Sequence, residues 1–229
     1  MAAQTVSGRA DTQDMVIVHR VFRREFGLAP RLVAQVPAGD VARAAVVHAH
    51  LSEMCTMLHH HHSGEDALVW PKLQERAELA SELVERMEEQ HGRVAALLHR
   101  VDDLLPRWAA SADTGVRDEL SDVLEDVSAA LDEHLAEEER EVLPLAEQHI
   151  TAAEWAELGE RGMAATPKPR LLVLLGHILE ETSPEERKAF LAHVPPPARV
   201  LYRLVGQRKY AREVAVLRQG VTVPQQRRG

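Results

Sequence analysis

The segment LSDVLEDVSAALDEHLAEEEREVLPL, residues 120–145, spaces Leu120, Leu124, Val127, Leu131, His134, Glu138, Val142 and Leu145 three or four positions apart. That is the period of one face of an α-helix, the face that a soluble protein buries. Two members of the stripe are out of place in a core: His134 and Glu138 sit where aliphatic residues belong.

Three other segments carry the same pattern. The first holds Met15, His19, Phe22 and Phe26, and Gly27 and Pro30 are expected to end it. The second opens at Asp40, a good N-cap, and reads Leu51, Met54, Leu58, His61, Glu65 and Leu68. The third reads Leu83, Met87, His91, Val94, Leu98, Val101 and Leu105, and Pro106 is expected to stop it. No stretch shows sustained strand alternation between hairpin turns. Four amphipathic helices with modest connections predict an all-α fold, an antiparallel four-helix bundle over residues 12–149.

A helical extension is expected over residues 150–229. Thr151 with Glu154 is a capping box that opens a helix ending near Gly159–Gly162, and GMAATPKPR (162–170) reads as a linker. Residues 171–181 are apolar and helical in pattern. Ser183-Pro184-Glu185-Glu186 is a strong helix start that Pro195–Pro197 closes off. A last helix is expected from Ala198 to Arg218, closed by Gly220, with a frayed end at VTVPQQRRG.

Composition narrows the class. The chain has 229 residues, 45% hydrophobic and 28% charged, which excludes wholesale disorder. A single cysteine, Cys55, excludes a disulfide scaffold and a Cys-rich zinc module. The longest aliphatic run, Leu171–Leu175, is far short of the roughly 20 residues of a membrane span. No signal peptide is visible, and a cytoplasmic protein is expected. The formal charge is −9, with twelve acids and two bases between Arg117 and Glu147, but eight bases and one acid from Pro195 onward. An acidic body argues against nucleic-acid binding, and the basic tail is expected to pack on that body or to be solvated.

Histidine stands out, with thirteen residues, four of them consecutive at His59–His62. Each helical stripe holds one: His19, His61, His91 and His134. Two stripes add a glutamate four residues on, Glu65 and Glu138, on the same helix face. Any one of these has an ordinary explanation as a core histidine or a helix-surface pair. Together they are six polar groups in four apolar faces with no lysine or arginine among them. Buried carboxylates need compensation, and four imidazoles with two carboxylates are a donor set for transition metals. Six ligands exceed one tetrahedral zinc and suit two six-coordinate ions.

The arrangement repeats. His61-x-x-x-Glu65-Asp66 followed by Pro71 matches His134-x-x-x-Glu138-Glu139 followed by Pro144, at an offset of 73; His19 and His91 are offset by 72. A duplicated helix pair predicts approximate two-fold symmetry around a two-metal centre. His62 with Asp66 repeats the four-residue spacing beside the stripe and rivals His61 and Glu65. The remaining neighbours, His59 and His60, are expected to face solvent, and His48 and His50 have no assigned role. Gly64 and Gly92 are expected to let backbone or dioxygen approach the metals, Cys55 to be buried, and Tyr202 and Tyr210 to serve helix packing.

In His19, HHHHSGEDALVWP (59–71), EEQH (88–91) and HLAEEEREVLP (134–144), the chain resembles the hemerythrin-like, HHE cation-binding family over about residues 12–149. The resemblance implies two non-haem iron ions bridged by carboxylates, oxo- or hydroxo-bridged when oxidised, and affinity for O2, H2O2 or NO. With the stripes it gives His19, His61, Glu65, His91, His134 and Glu138 as the expected ligands, with His62 and Glu139 as further candidates. The oxygen carriers place a further histidine one turn after the third-helix ligand, where this chain has Ala95. They also place the last carboxylate at the position of Glu139, whereas the stripe favours Glu138. One imidazole fewer predicts an extra open position on one iron, favouring redox chemistry over carriage. The expected function is therefore O2 or peroxide redox chemistry, catalase-like or oxygenase-type. The alternative is binding or sensing of O2, NO or iron without turnover. No nucleic acid or membrane partner is expected, and the C-terminal helices offer a homodimer contact.

Overall fold

Asp40 caps its helix as expected: its carboxylate accepts the Arg43 N–H at 2.9 Å, and α2 runs Val41–Leu68. It follows α1 (Gln13–Ala34) and precedes α3 (Trp70–Arg76), α4 (Ser81–Ser111) and α5 (Thr114–Glu137). The computed structural model describes residues 8–77 and 80–221, and every element longer than an isolated bridge among them is helical. α1 packs on α2 and α5, and α4 packs on the same two. Consecutive long helices are thus neighbours around a ring of four, which is the expected bundle.

Two helices outrun their expected ends. α1 continues through Gly27 and Pro30 to Ala34, and α4 continues through Pro106 to Ser111. Each proline removes one backbone donor, a loss of about 3 kcal/mol in a helix interior. Burial of the residues beyond each proline offsets that loss. Leu32 and Val33 after Pro30, and Trp108 after Pro106, are fully buried, at roughly 1.5–3 kcal/mol per large apolar side chain. α4 ends instead at Ala112, which takes the left-handed conformation (φ 48°).

The bundle has two apolar regions with a polar layer between them. Phe22, Leu58, Val94, Leu131 and Leu135 belong to the larger; Met15, Val69, Trp70, Met87 and Val142 belong to the smaller. On every long helix the stripe histidine lies between a residue of one region and a residue of the other. The repeated prolines shape this layer's rim. Pro71 sits at the start of α3, where α2 breaks off at Leu68. Pro144 has no N–H for the Arg140 carbonyl, and the chain widens into a π-turn over Glu138–Val142 before α6 (Leu143–His149). The stripe predicts an uninterrupted fourth helix; the π-turn begins at Glu138 itself.

The extension wraps the outer side of α1 and α2. The Thr151 capping box forms as expected and opens α7 (Ala152–Ala165), which runs past Gly162 and shortens the expected linker to a 3-10 turn at Lys168–Arg170. α7 packs on α2, and Trp155 joins the smaller apolar region. α8 (Leu171–Glu180) packs on α1. α9 (Pro184–His193) has the expected capping box at Ser183. The last helix starts two residues early as α10 (Pro196–Leu201), widens into a π-turn at Tyr202–Gly206 and continues as α11 (Gln207–Leu217). Leu217 and Val221 complete the larger apolar region; the rest of the tail, residues 222–229, lies outside the described residues. No helix among the described residues is long and apolar enough to cross a membrane.

Candidate metal centre

α2 supplies His61, His62 and Glu65, α1 supplies His19, α4 supplies His91, and α5 with its π-turn supplies His134 and Glu138. Their donor atoms gather into two groups. One is His62, Glu65, His91 and His134; the other is His19, His61, Glu65 and Glu138. Within each group the donors lie within 4.8 Å of one another. Glu65 belongs to both, with Oε1 3.2 Å from His61 Nε2 and Oε2 3.5 Å from His91 Nε2. Glu138 also spans them: its Oε2 lies 3.4 Å from His19 Nε2 and 3.6 Å from His134 Nε2. All six residues expected from the stripes are in the centre.

His62 is in the centre as well, as a partner of His61 and Glu65 rather than their rival. Adjacent residues on a helix diverge by about 100°, so one imidazole turns to each group. The His62 ring stacks on His91 at 4.1 Å, and its repeat counterpart, 73 residues on, is Leu135. The imidazole missing at Ala95 is thus supplied from α2, and the two groups hold three and two imidazoles. With His62 the donor groups hold five imidazoles, where the stripes alone give four.

Glu139 and Asp66 lie just outside. Glu139 accepts from His19 Nδ1 at 3.0 Å and from Arg23 at 2.6 Å. Burial alone would raise its pKa, but those hydrogen bonds hold it below the usual carboxylate range. Asp66 accepts from His91 Nδ1 at 2.7 Å and from Trp70 Nε1 at 2.9 Å. The duplication therefore extends one layer outward: the acid after each of Glu65 and Glu138 steadies the histidine of the opposite repeat. Gln90 does the same for His134, with Nδ1 3.0 Å from its Oε1. The repeated acid is legible in the sequence; nothing in the spacing singles out Gln90.

These outer bonds decide where the ring protons are. Carboxylate and amide oxygens accept, so His19, His91 and His134 donate from Nδ1, and their Nε2 lone pairs point inward. His91 Nε2 and His134 Nε2 face each other at 3.2 Å. His19 Nε2, His61 Nε2, His62 Nε2, both Glu65 oxygens and Glu138 Oε2 have no hydrogen-bond partner among the described residues. At about 1–3 kcal/mol each, six such atoms rival the 5–15 kcal/mol stability of a typical domain. Burial pushes Glu65 well above the usual carboxylate range, with Glu138 and Asp66 adding to it. Burial likewise raises Glu138, although His19 and His91 oppose it. His134 is pushed down to about 2 by burial and by His91. Convergent lone pairs with no donors, in a setting whose burial disfavours protons on His61, His62 and His134, fit cations better than water or protons.

Gly64 faces α7. A Cβ there would meet Leu158 Cδ1 at 2.7 Å, so its bare backbone admits α7; a Cβ on Gly92 would meet nothing within 4 Å. A second polar cluster lies between α1 and the extension. Glu25, fully buried, accepts from His50 and His177 (3.0 Å each) and pairs with Arg24 (2.6 Å) and Arg218 (3.1 Å). His50 thus has a structural role that its position in the sequence does not suggest. Tyr210 packs its ring on His177 and bonds Glu180, away from the centre. Cys55 is buried as expected, its thiol pushed up to about 12 by burial.

No curated protein and no solved structure matches the chain. A family model does: the hemerythrin HHE cation-binding domain, over residues 11–146, more than half of the 229. The match spans the four long helices and every donor of both groups, and the chain belongs to the hemerythrin HHE cation-binding family.

Proposed function

We propose that this chain is a non-haem di-iron protein that reacts with O2 or hydrogen peroxide, with catalase-like peroxide removal favoured over oxygenation of an organic substrate. The carrying observation is the pair of donor groups sharing Glu65, with three imidazoles on one side and two on the other. Two ions sharing a carboxylate suit iron better than tetrahedral zinc, and the absence of thiolate donors disfavours soft-metal sites. Iron held there supplies one-electron redox steps and coordination positions for a small ligand. The chain's own contribution is to fix that environment. Glu139, Asp66 and Gln90 hold the Nδ1 protons and aim the Nε2 atoms. The group with fewer imidazoles, His19 and His61, leaves more room for O2, peroxide or NO. The donor side chains are at most 8% exposed, and Phe22 packs its ring 5.0 Å from that of His61. Such enclosure supports a ligand of two or three atoms.

A second reading, binding or sensing of O2, NO or iron without turnover, draws on α7. That helix rests on Gly64, next to Glu65, so metal occupancy and the extension share a contact. The test is metal analysis followed by absorption spectroscopy of the iron-loaded chain before and after O2 and peroxide. Expected are near two irons per chain, near-ultraviolet charge-transfer bands, and gas evolution from peroxide. A stable reversible adduct without turnover selects the second reading. A well-folded chain that refuses iron refutes both.

A further inference from the structure

Many cations of this acidic chain pair with acids, but four that share one hollow do not. Arg187 and Lys188 on α9 face Arg199 and Arg203 on α10 and its π-turn across a cavity of about 470 Å³. None of the eight residues lining it is acidic, and none of the four cations forms an ion pair among the described residues. Of the acids nearby, Glu186 pairs with Arg20, Glu213 with Arg170 and Glu180 with Arg218, while Glu185 on α9 does not line the hollow. The basic tail therefore does not simply pack on the acidic body. Its Arg218 does, while Arg199 and Arg203 are left turned into a concavity.

Four like charges sharing one hollow repel, and the i, i+4 pair Arg199–Arg203 adds to that repulsion along its helix. A counter-ion relieves it. The guanidinium forks of Arg199 and Arg203 and the Lys188 ammonium offer N–H donors at the spacing of phosphate oxygens, while Arg187 adds its charge and already donates to the Leu179 carbonyl at 3.5 Å. Gln207 and the Tyr202 side chain complete the polar wall. The formal charge of +4 exceeds the roughly −2 of one phosphate group, so two linked phosphoryl groups match it better. Tyr202 is the only aromatic residue in the wall, and it is 4% exposed, so no open ring face is offered to a base. We propose that this hollow, lined by none of the metal-centre donors, binds a small diphosphate-bearing anion and recognises its phosphates rather than the group they esterify. The concavity favours a small molecule over a duplex or a bilayer.

Titration calorimetry on the iron-loaded full chain tests this, with ADP, AMP, adenosine and inorganic phosphate as probes at 50 and 300 mM salt. The expected result is one ADP per chain, AMP and phosphate at least about tenfold weaker, no heat from adenosine, and weakening with salt. Arg199→Gln/Arg203→Gln is expected to cost ADP at least about tenfold, with iron content and helicity unchanged. Lys188→Gln, an exposed site, gives the same direction should the double variant fail to fold. No ADP heat, or heat that neither variant reduces, overturns the proposal. So does capture by phosphatidylcholine–phosphatidylglycerol (7:3) vesicles or by a 20-base-pair duplex that ADP does not compete away; exposed Val200, Leu201, Leu204 and Val205 nearby make the vesicle arm a fair rival.

Discussion

Replacing His62 by leucine, the residue at its repeat counterpart Leu135, should move the stability of the metal-free and iron-loaded chains in opposite directions. In the metal-free chain His62 Nε2 is a buried atom without a partner, on a residue 6% exposed. Removing such an atom and substituting an apolar side chain of similar size gains about 1–3 kcal/mol. For a chain of this size that is a rise in Tm of roughly 2–12 °C. In the iron-loaded chain the same change deletes one of three imidazoles from the His62–Glu65–His91–His134 group. Each tenfold loss of affinity removes about 1.4 kcal/mol of ligand-linked stability. A hundredfold loss removes about 2.8 kcal/mol, which exceeds a gain of about 2 kcal/mol and leaves the loaded chain less stable than the unmodified one. The assay is differential scanning calorimetry of His62→Leu and the unmodified chain, each metal-free and at fixed free ferrous iron under anaerobic conditions, with iron counted per chain. The result that refutes the reasoning is equal destabilisation in both states with two irons retained. A histidine that only packs would behave that way.

The other expectations concern the bridge, its supports and the extension. Glu65→Gln keeps the shape of the side chain shared by both groups but removes its charge, so iron per chain should fall from near two to below one while far-ultraviolet circular dichroism is unchanged. Asp66→Asn and Glu139→Gln each weaken the hold on an inward-aimed histidine, and should cost about 10–100-fold in iron affinity, read by competition with a chelator. Glu25→Gln leaves Arg24 and Arg218 short of a buried partner; Glu180 and Glu181 still serve them, so a loss of about 3 kcal/mol in denaturant unfolding is expected. Burial alone would raise the Glu25 pKa, but the hydrogen bonds from His177 and His50 and the charge of Arg24 hold it well below the usual carboxylate value. Its contribution is therefore present above about pH 4.3 and lost as pH falls below that. The difference between Glu25→Gln and the unmodified chain should shrink at acid pH, and a difference that grows instead would contradict this account.

The donors that are legible in the sequence are those at helical spacing within an apolar stripe. His19, His61, Glu65, His91, His134 and Glu138 each occupy a position where burial is implied by the neighbours three and four residues away. His62 is legible only as a rival of His61, because a stripe admits one of two adjacent residues, and only a centre wide enough for two donor groups can use both. The helix ends escape the sequence for a related reason. Pro30 and Pro106 signal a local loss of a hydrogen bond, whereas Leu32, Val33 and Trp108 beyond them gain their burial from other helices.

The order of the residues alone therefore determined the helical class, the caps at Asp40, Thr151 and Ser183, the duplication, and six of the seven donors. These are properties of local backbone chemistry and of periodicity, which a chain carries before it folds. Tertiary structure alone decided how His61 and His62 are shared between two groups, and that Gly64 admits α7. It also decided that Glu25 meets His177, 152 positions away, and that four cations from two short helices line one hollow. Each of these depends on which surfaces close on one another in space, and no spacing along the chain encodes that.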